Sequence, residues 1–148
     1  MNAKRIYHLM KILVDNDLHA AVFNPGSNMA YLTGLNFHLS ERPIVLIISQ
    51  SALPLIVLPE LEAPKLQGAD IQLEGITYTD NPVTWQKAFI QAAKAAGLSG
   101  RSVAVDENEL RVLELKLLES AAQDASFVSF AAGLSELRIC KDEAEIDF

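Results

Sequence analysis

Two short runs of apolar residues constrain this fold more than any other feature of the sequence. Every position from Ile44 to Ile48 is apolar, and so is every position from Leu55 to Val57. A strand that is apolar on both faces must be covered on both faces, so helices are expected on each side of its sheet. Only the segment around Ser49 to Leu53 separates the two runs. That segment is too short for a crossover helix, so the pair is predicted to form an antiparallel hairpin.

The remaining periodic segments alternate between helix and strand. Apolar spacing of three and four residues indicates a first helix from Ile6 to Leu13, capped by Asn2. Asn81-Pro82 is typical of a helix start and Gly97 of its end. Further strands are predicted at Ala20–Phe23, between Ile71 and Tyr78, at Ser102–Val105 and at Phe127–Phe130. Shorter helical segments are predicted at Met29–Thr33 and Leu61–Leu66. Together these elements predict an α/β domain with a mixed β-sheet flanked by helices.

Two further features lie in the C-terminal half. Asp106 and Glu109 resemble a capping box that would open a helix. The buried edge of that helix is predicted to consist of Leu110, Leu113 and Leu117. The chain is expected to turn at Gly133 after the last strand.

The pattern of the C-terminal residues predicts the beginning of another helix. Asp142, Glu143 and Glu145 suit a helix N-terminus, where acidic side chains meet the positive end of the helix dipole. Ile146 and Phe148 resemble the first members of an apolar stripe. We therefore expect a domain over residues 1–134, followed at 135–148 by a linker and the start of a helix leading into a further domain of a longer protein.

Composition narrows the classes of function. The 148 residues include 12 Lys and Arg against 19 Asp and Glu, a net charge of −7, with no basic run that would hold a nucleic acid. The single cysteine fits a reducing cytoplasm, which is the expected location. The longest apolar runs are too short to span a bilayer, so no membrane partner is expected.

The sequence contains no recognisable catalytic or metal-binding constellation. The segment from Asp15 to His19 brings acids and a histidine together, but its pattern is typical of a polar loop that closes a helix. The acids from Asp106 to Glu109 are explained by a helix start. No nucleophile, base and orienting group can be assembled from the candidate residues. We therefore expect no catalytic residue and no metal ligand in this chain.

The loop from Gly34 to Pro43 is the segment that best suits a binding role. It brings the aromatic ring of Phe37, the imidazole of His38 and the guanidinium of Arg42 close together in sequence. Loops carry binding residues more often than core segments do. Two interpretations stay open, the rim of a binding site and a solvated surface loop with Phe37 tucked beneath it.

Three stretches in the correct order resemble the N-terminal domain of the creatinase/prolidase (Xaa-Pro peptidase) family. Residues 24–34 are similar to its Asn-Pro … Tyr-Leu-Thr-Gly motif, and residues 57–62 to its Val-Pro-x-Leu-Glu element. Residues 137–146 are similar to its Leu-Arg-x-Ile-Lys-x-x-x-Glu-Ile junction. Cys140 replaces the usual isoleucine of the junction, and Leu35 stands where an aromatic residue is common.

The resemblance implies a mixed sheet of the ribonuclease H-like kind and a non-catalytic role. In this family a separate C-terminal domain of pita-bread fold carries two divalent metal ions (Mn, Co or Zn) on Asp, His and Glu ligands. The N-terminal domain supports a homodimer, and in many members it covers the active-site mouth of the neighbouring subunit. There it helps to select short peptides with proline in the second position. The partners implied are thus this chain's own catalytic domain, a second copy and short proline-containing peptides.

Applied to this sequence, the resemblance implies a substrate lip formed by Phe37, His38 and Arg42. The ring could pack on a proline, and Arg42 or His38 could meet a peptide carboxylate. At the junction, Arg138, Lys141 and Glu145 form either an interdomain ion pair or ordinary charges around a helix start. Two other functions stay open, a stand-alone interaction module of this fold and the N-terminal domain of a creatinase-type amidinohydrolase.

Overall fold

The computed structural model describes residues 3–139. Within that range the strands are β1 (Ala20–Phe23), β2 (Val45–Ser49), β3 (Leu55–Pro59), β4 (Glu74–Tyr78), β5 (Ser102–Val105) and β6 (Ser126–Ser129). The α-helices are α1 (Ala3–Asp15), α2 (Ser27–Thr33), α3 (Pro82–Ala96), α4 (Val112–Ala121) and α5 (Ala131–Ile139). A 3-10 helix covers Glu60–Gly68. The predicted capping residue Asn2 lies outside the described range.

The strands form one mixed sheet in the order β4-β3-β2-β1-β5-β6. Strand β2 runs antiparallel to both of its neighbours, and the other neighbouring pairs are parallel. Val45 of β2 lies opposite Val57 of β3, which confirms the predicted hairpin. The fold class is therefore confirmed as α/β with a mixed sheet.

Helices cover both faces of the sheet, as the apolar strands require. On one face Phe23 packs in a cluster with Leu13 of α1 and Leu137 of α5. On the other face Val22 packs in a second cluster, which includes Phe89 of α3 and Leu118 of α4. Neighbouring residues of one strand thus serve opposite layers, because side chains alternate across a strand.

The predicted signals mark both ends of α3, and a glycine also ends α2. The Asn81 side chain accepts a hydrogen bond from the Val83 N–H (3.1 Å) and caps α3. Gly97 ends that helix with φ at +66°, and Gly34 ends α2 with φ at +77°. These left-handed conformations favour glycine because it has no Cβ.

The prediction for the start of α4 was wrong. The Asp106 side chain accepts from the Asn108 N–H (2.9 Å) and forms a turn, so the helix begins only after Arg111. As a result the buried edge of α4 also differs from the predicted one. Glu114 and Leu118 are fully buried. The predicted edge residues, Leu110, Leu113 and Leu117, are partly buried.

The prediction of a turn at Gly133 was also wrong. Helix α5 runs through this residue to Ile139, and Leu134 and Leu137 from it are fully buried in the core. Their burial explains the difference, since apolar residues three apart lie on one face of a helix. The predicted boundary at residue 134 therefore lies within a helix. The remaining tail, 140–148, lies outside the described residues.

Candidate functional site

The loop between α2 and β2 lies at the edge of the sheet where the parallel strands end. Strand β2 runs against the others, so it begins at the edge where β1, β3 and β4 terminate. We call residues 34–43, which precede β2, the rim loop. Residues that follow β4 and residues that precede α4 contact this loop.

Phe37 holds the rim loop to the core. Its ring is only 8% exposed and belongs to the cluster on the α1 side of the sheet. The Lys65 ammonium lies 5.5 Å from the ring centroid. A ring that packs on a proline of a peptide needs an exposed face, whereas the faces of the Phe37 ring contact other residues of the domain. Of the three predicted lip residues, Phe37 thus lies beneath the loop.

His38 and Arg42 lie at the surface, on either side of Ser40. The imidazole of His38 is exposed, beside Leu39 with 51% exposure. Arg42 pairs through Nη2 with Asp80 Oδ1 (2.8 Å), and the side chains of this pair are 37% and 72% exposed. The structure thus presents an imidazole and a guanidinium from one loop, with the guanidinium held by an exposed carboxylate.

Tyr78 fixes the end of the rim loop. Its hydroxyl donates to the Pro43 carbonyl (2.5 Å), and the residue is 2% exposed. Burial raises the pKa of Tyr78 well above its ordinary value, although the nearby Arg42 opposes this shift. The phenol therefore stays protonated and remains a donor at neutral pH.

Arg111 fixes the middle of the rim loop. Its Nη1 donates to the Ser40 carbonyl (2.5 Å), across 71 residues of sequence. The other side of the same guanidinium binds the carboxylate of Glu114, through Nε at 3.0 and 3.1 Å and through Nη2. Glu114 is fully buried. The hydrogen bonds to Glu114 raise the pKa of Arg111, so its charge is secure.

A small cleft opens beside the Arg42–Asp80 pair. Its volume is about 230 Å³, and its walls come from the ends of β3 and β4. The lining residues are Pro59, Glu60, Leu61, Tyr78, Thr79 and Asp80. Two carboxylates, those of Glu60 and Asp80, and the apolar side chains of Pro59 and Leu61 thus lie together at this edge.

The junction residues are only partly described. Arg138 is exposed in the last turn of α5. Burial and the neighbouring Asp106 raise the pKa of the Glu109 carboxyl, and Arg138 lowers it. The positive charge of Arg138 therefore lies near enough to favour the charged form of Glu109. Lys141 and Glu145, the other predicted junction residues, lie outside the described range.

The acid and histidine cluster at Asp15–His19 lies at the opposite edge of the sheet. His19 Nε2 is within hydrogen-bond distance of Ser51 Oγ (3.1 Å) and of the Ala96 carbonyl (3.2 Å). These contacts join β1 to the hairpin turn and to the end of α3. The side chain therefore serves the packing of this edge.

The donor groups of the described chain do not fit a metal centre. Within residues 3–139, no three His, Cys, Asp or Glu side chains lie close enough to hold one ion. We assign no chemistry through a metal to these residues. Over the same range, no helix is long and apolar enough to cross a membrane.

Sequence reasoning missed the residues that hold the rim loop. Tyr78, Asp80 and Arg111 are far from the loop in sequence, and nothing in their local pattern indicates a contact with it. One signal was available, because Arg111 and Glu114 have the i, i+3 spacing of a helical ion pair.

Comparison with known proteins gives a consistent result. Residues 5–140 match the family described as the Creatinase/Prolidase N-terminal domain. The chain is 30% identical over 142 residues to the Bacillus subtilis protein named "Putative dipeptidase YkvY". That alignment covers 96% of this chain and 39% of the relative, so this chain spans about two fifths of that protein's length.

Two solved structures have the same fold. A recombinant prolidase from Thermococcus sibiricus superposes with a TM-score of 0.84 at 26% identity, over 99% of this chain and 39% of the prolidase. The creatinase/prolidase N-terminal domain of an X-Pro dipeptidase from Streptococcus pyogenes shares the fold, with a TM-score of 0.77 at 20% identity. That match covers 92% of this chain and 99% of the solved domain. The chain therefore belongs to the creatinase/prolidase N-terminal domain family, as its motifs indicated.

Proposed function

We propose that this chain is the non-catalytic N-terminal domain of a metal-dependent Xaa-Pro peptidase of the cytoplasm. In this proposal it supports a homodimer and covers the active-site mouth of the partner subunit. The observation that carries the proposal is the extent of the match. Nearly the whole chain corresponds to the N-terminal two fifths of a prolidase, and it matches almost all of a solved dipeptidase N-terminal domain.

The rim loop is the part of the domain proposed to meet the peptide. His38 is exposed, and an N–H of its imidazole can donate a hydrogen bond to a carboxylate. In the described part of the chain, the Arg42 guanidinium pairs with the exposed carboxylate of Asp80, and such pairs contribute about 0–1 kcal/mol. A peptide carboxylate can therefore replace Asp80 at little cost. Phe37 acts beneath the loop, as its support.

The catalytic metal ions (Mn, Co or Zn) belong to the C-terminal domain in this proposal. The 148-residue chain alone is therefore expected to hydrolyse no Xaa-Pro dipeptide, even when manganese or cobalt is supplied. Metal-dependent turnover that co-purifies with the chain alone would contradict this division of labour. In the same proposal, the two domains are joined through an ion pair that involves Arg138, Lys141 and Glu145. That ion pair stays a prediction.

The test of the rim uses the full-length peptidase with single alanine variants. His38→Ala and Arg42→Ala are each expected to lower kcat/KM for a Xaa-Pro dipeptide about tenfold, the effect of losing one hydrogen bond to a charged group. Glu41→Ala is the matched control, because Glu41 is an exposed charged residue of the same loop. Unchanged kcat/KM in both variants would refute the role of the rim.

Two simple measurements would distinguish the proposed function from two alternatives. A reading frame that ends at Phe148, with the chain present alone in cells, would favour a stand-alone interaction module. A longer protein that hydrolyses creatine and leaves Xaa-Pro peptides intact would identify a creatinase-type amidinohydrolase.

A further inference from the structure

We propose that Arg111 is the positioning residue of the rim loop, and that buried Glu114 holds it in place for this purpose. The inference rests on the proposed function in one respect, namely that the rim loop meets a peptide. The geometry of the loop is argued and tested independently of that function.

Glu114 is the buried partner of Arg111. Its side chain is fully buried on α4, and isolated carboxylates are not tolerated in such places because burial removes their hydration. The guanidinium of Arg111 compensates by binding both carboxylate oxygens. Arg111 thereby loses the freedom of an exposed arginine, and its planar fork is fixed in direction.

The free side of that fork is directed at the rim loop. Arg111 Nη1 donates to the Ser40 carbonyl, which lies midway between His38 and Arg42. The loop has further attachments at Phe37 and at Pro43. Between those two points, Arg111, the residue that precedes α4, donates the hydrogen bond that links the loop backbone to the rest of the described chain. Its loss should free the segment that carries the exposed imidazole.

Lysine cannot replace arginine in this role. One ammonium can satisfy the buried carboxylate or reach the Ser40 carbonyl, but it lacks the flat array of donors that serves both. We expect the buried carboxylate of Glu114 to retain the ammonium. The loop would then lose its attachment even though the positive charge is conserved.

The test measures backbone order of the rim loop by ¹⁵N relaxation in the 148-residue chain. The main variant is Arg111→Met with Glu114→Leu, which replaces the ion pair by apolar side chains and so leaves no buried charge unpaired. The matched control is Lys116→Met, which removes an exposed cation of the same helix. We expect order parameters of residues 38–41 near 0.85 in the wild type and the control, and below about 0.6 in the double variant.

Unchanged order parameters in the double variant, with strands as ordered as in the wild type, would overturn the inference. If the double variant fails to fold, Arg111→Lys decides by the same criterion. In that variant a loop as ordered as in the wild type overturns the inference, and a disordered loop supports it.

A second readout separates this inference from the proposed function. In the full-length peptidase, the variants with a disordered loop should raise KM for a Xaa-Pro dipeptide about tenfold at nearly constant kcat. A disordered loop with unchanged KM would leave Arg111 as the positioning residue and refute the role of the rim in substrate access. An ordered loop would refute the role of Arg111, whatever KM shows.

Discussion

Replacing Phe37 by alanine should destabilise the domain by about 3 kcal/mol. Substitutions of buried phenylalanine by alanine cost about 3–5 kcal/mol, and the lower value applies because a loop collapses partly around the space left behind. The ring is 8% exposed in the core cluster, so little of its area is already in water. For a chain of this size, each kcal/mol lowers the melting temperature by about 2–4 °C, so the total fall is about 6–12 °C.

Urea unfolding and thermal melts of the 148-residue chain measure this effect. The matched control is His38→Ala, which changes the next residue of the same loop and should alter the free energy of unfolding by less than about 0.5 kcal/mol. Lys65→Ala removes the cation near the ring and should cost less than about 1 kcal/mol. Equal stability of the Phe37 and His38 variants would refute the burial of the ring beneath the rim loop.

Three further predictions concern titration and capping. Because burial raises the pKa of Tyr78, its contribution to stability is complete below about pH 10 and is lost as pH rises further. Wild type should therefore lose more stability than Tyr78→Phe in urea titrations above that pH. The pKa of Glu109 is raised by burial and by Asp106, so its charged form opposes folding. Glu109→Gln should be more stable than wild type at pH 7, and urea curves should converge as pH falls below about 4, the usual range of a free glutamate. Asn81→Ala should cost about 1 kcal/mol in thermal melts, through loss of the cap of α3, and no loss would refute that role.

The layers of the fold could be predicted because buried strands and helix ends have recognisable local sequence patterns. Unbroken apolar strands require cover on both faces, and Asn81-Pro82 and Gly97 mark both ends of α3. Short-range signals fail where one side chain has two local uses. An aspartate such as Asp106 can cap either a helix or a turn. Here its carboxylate accepts from the backbone N–H of Asn108 and forms a turn.

The rim could be predicted only in part. The sequence indicates a loop with His38 and Arg42, but the burial of Phe37 depends on the space left by α1 and the strands beneath it. The Arg111–Ser40 hydrogen bond joins residues 71 positions apart, so no local pattern in either segment predicts it. Such contacts arise from the order of strands in the sheet, which apolar periodicity does not specify.

Strand β2 runs from the edge of the sheet that carries the rim loop to the opposite edge. Its start feeds the rim loop, and its end leads into the hairpin turn on the far side, where Leu53 is 53% exposed. A fluorophore or surface-coupling tag attached at position 53 would therefore stand away from Ser40 by the full length of a strand. The domain can be immobilised or labelled there while the rim loop at the opposite edge of the sheet remains unobstructed.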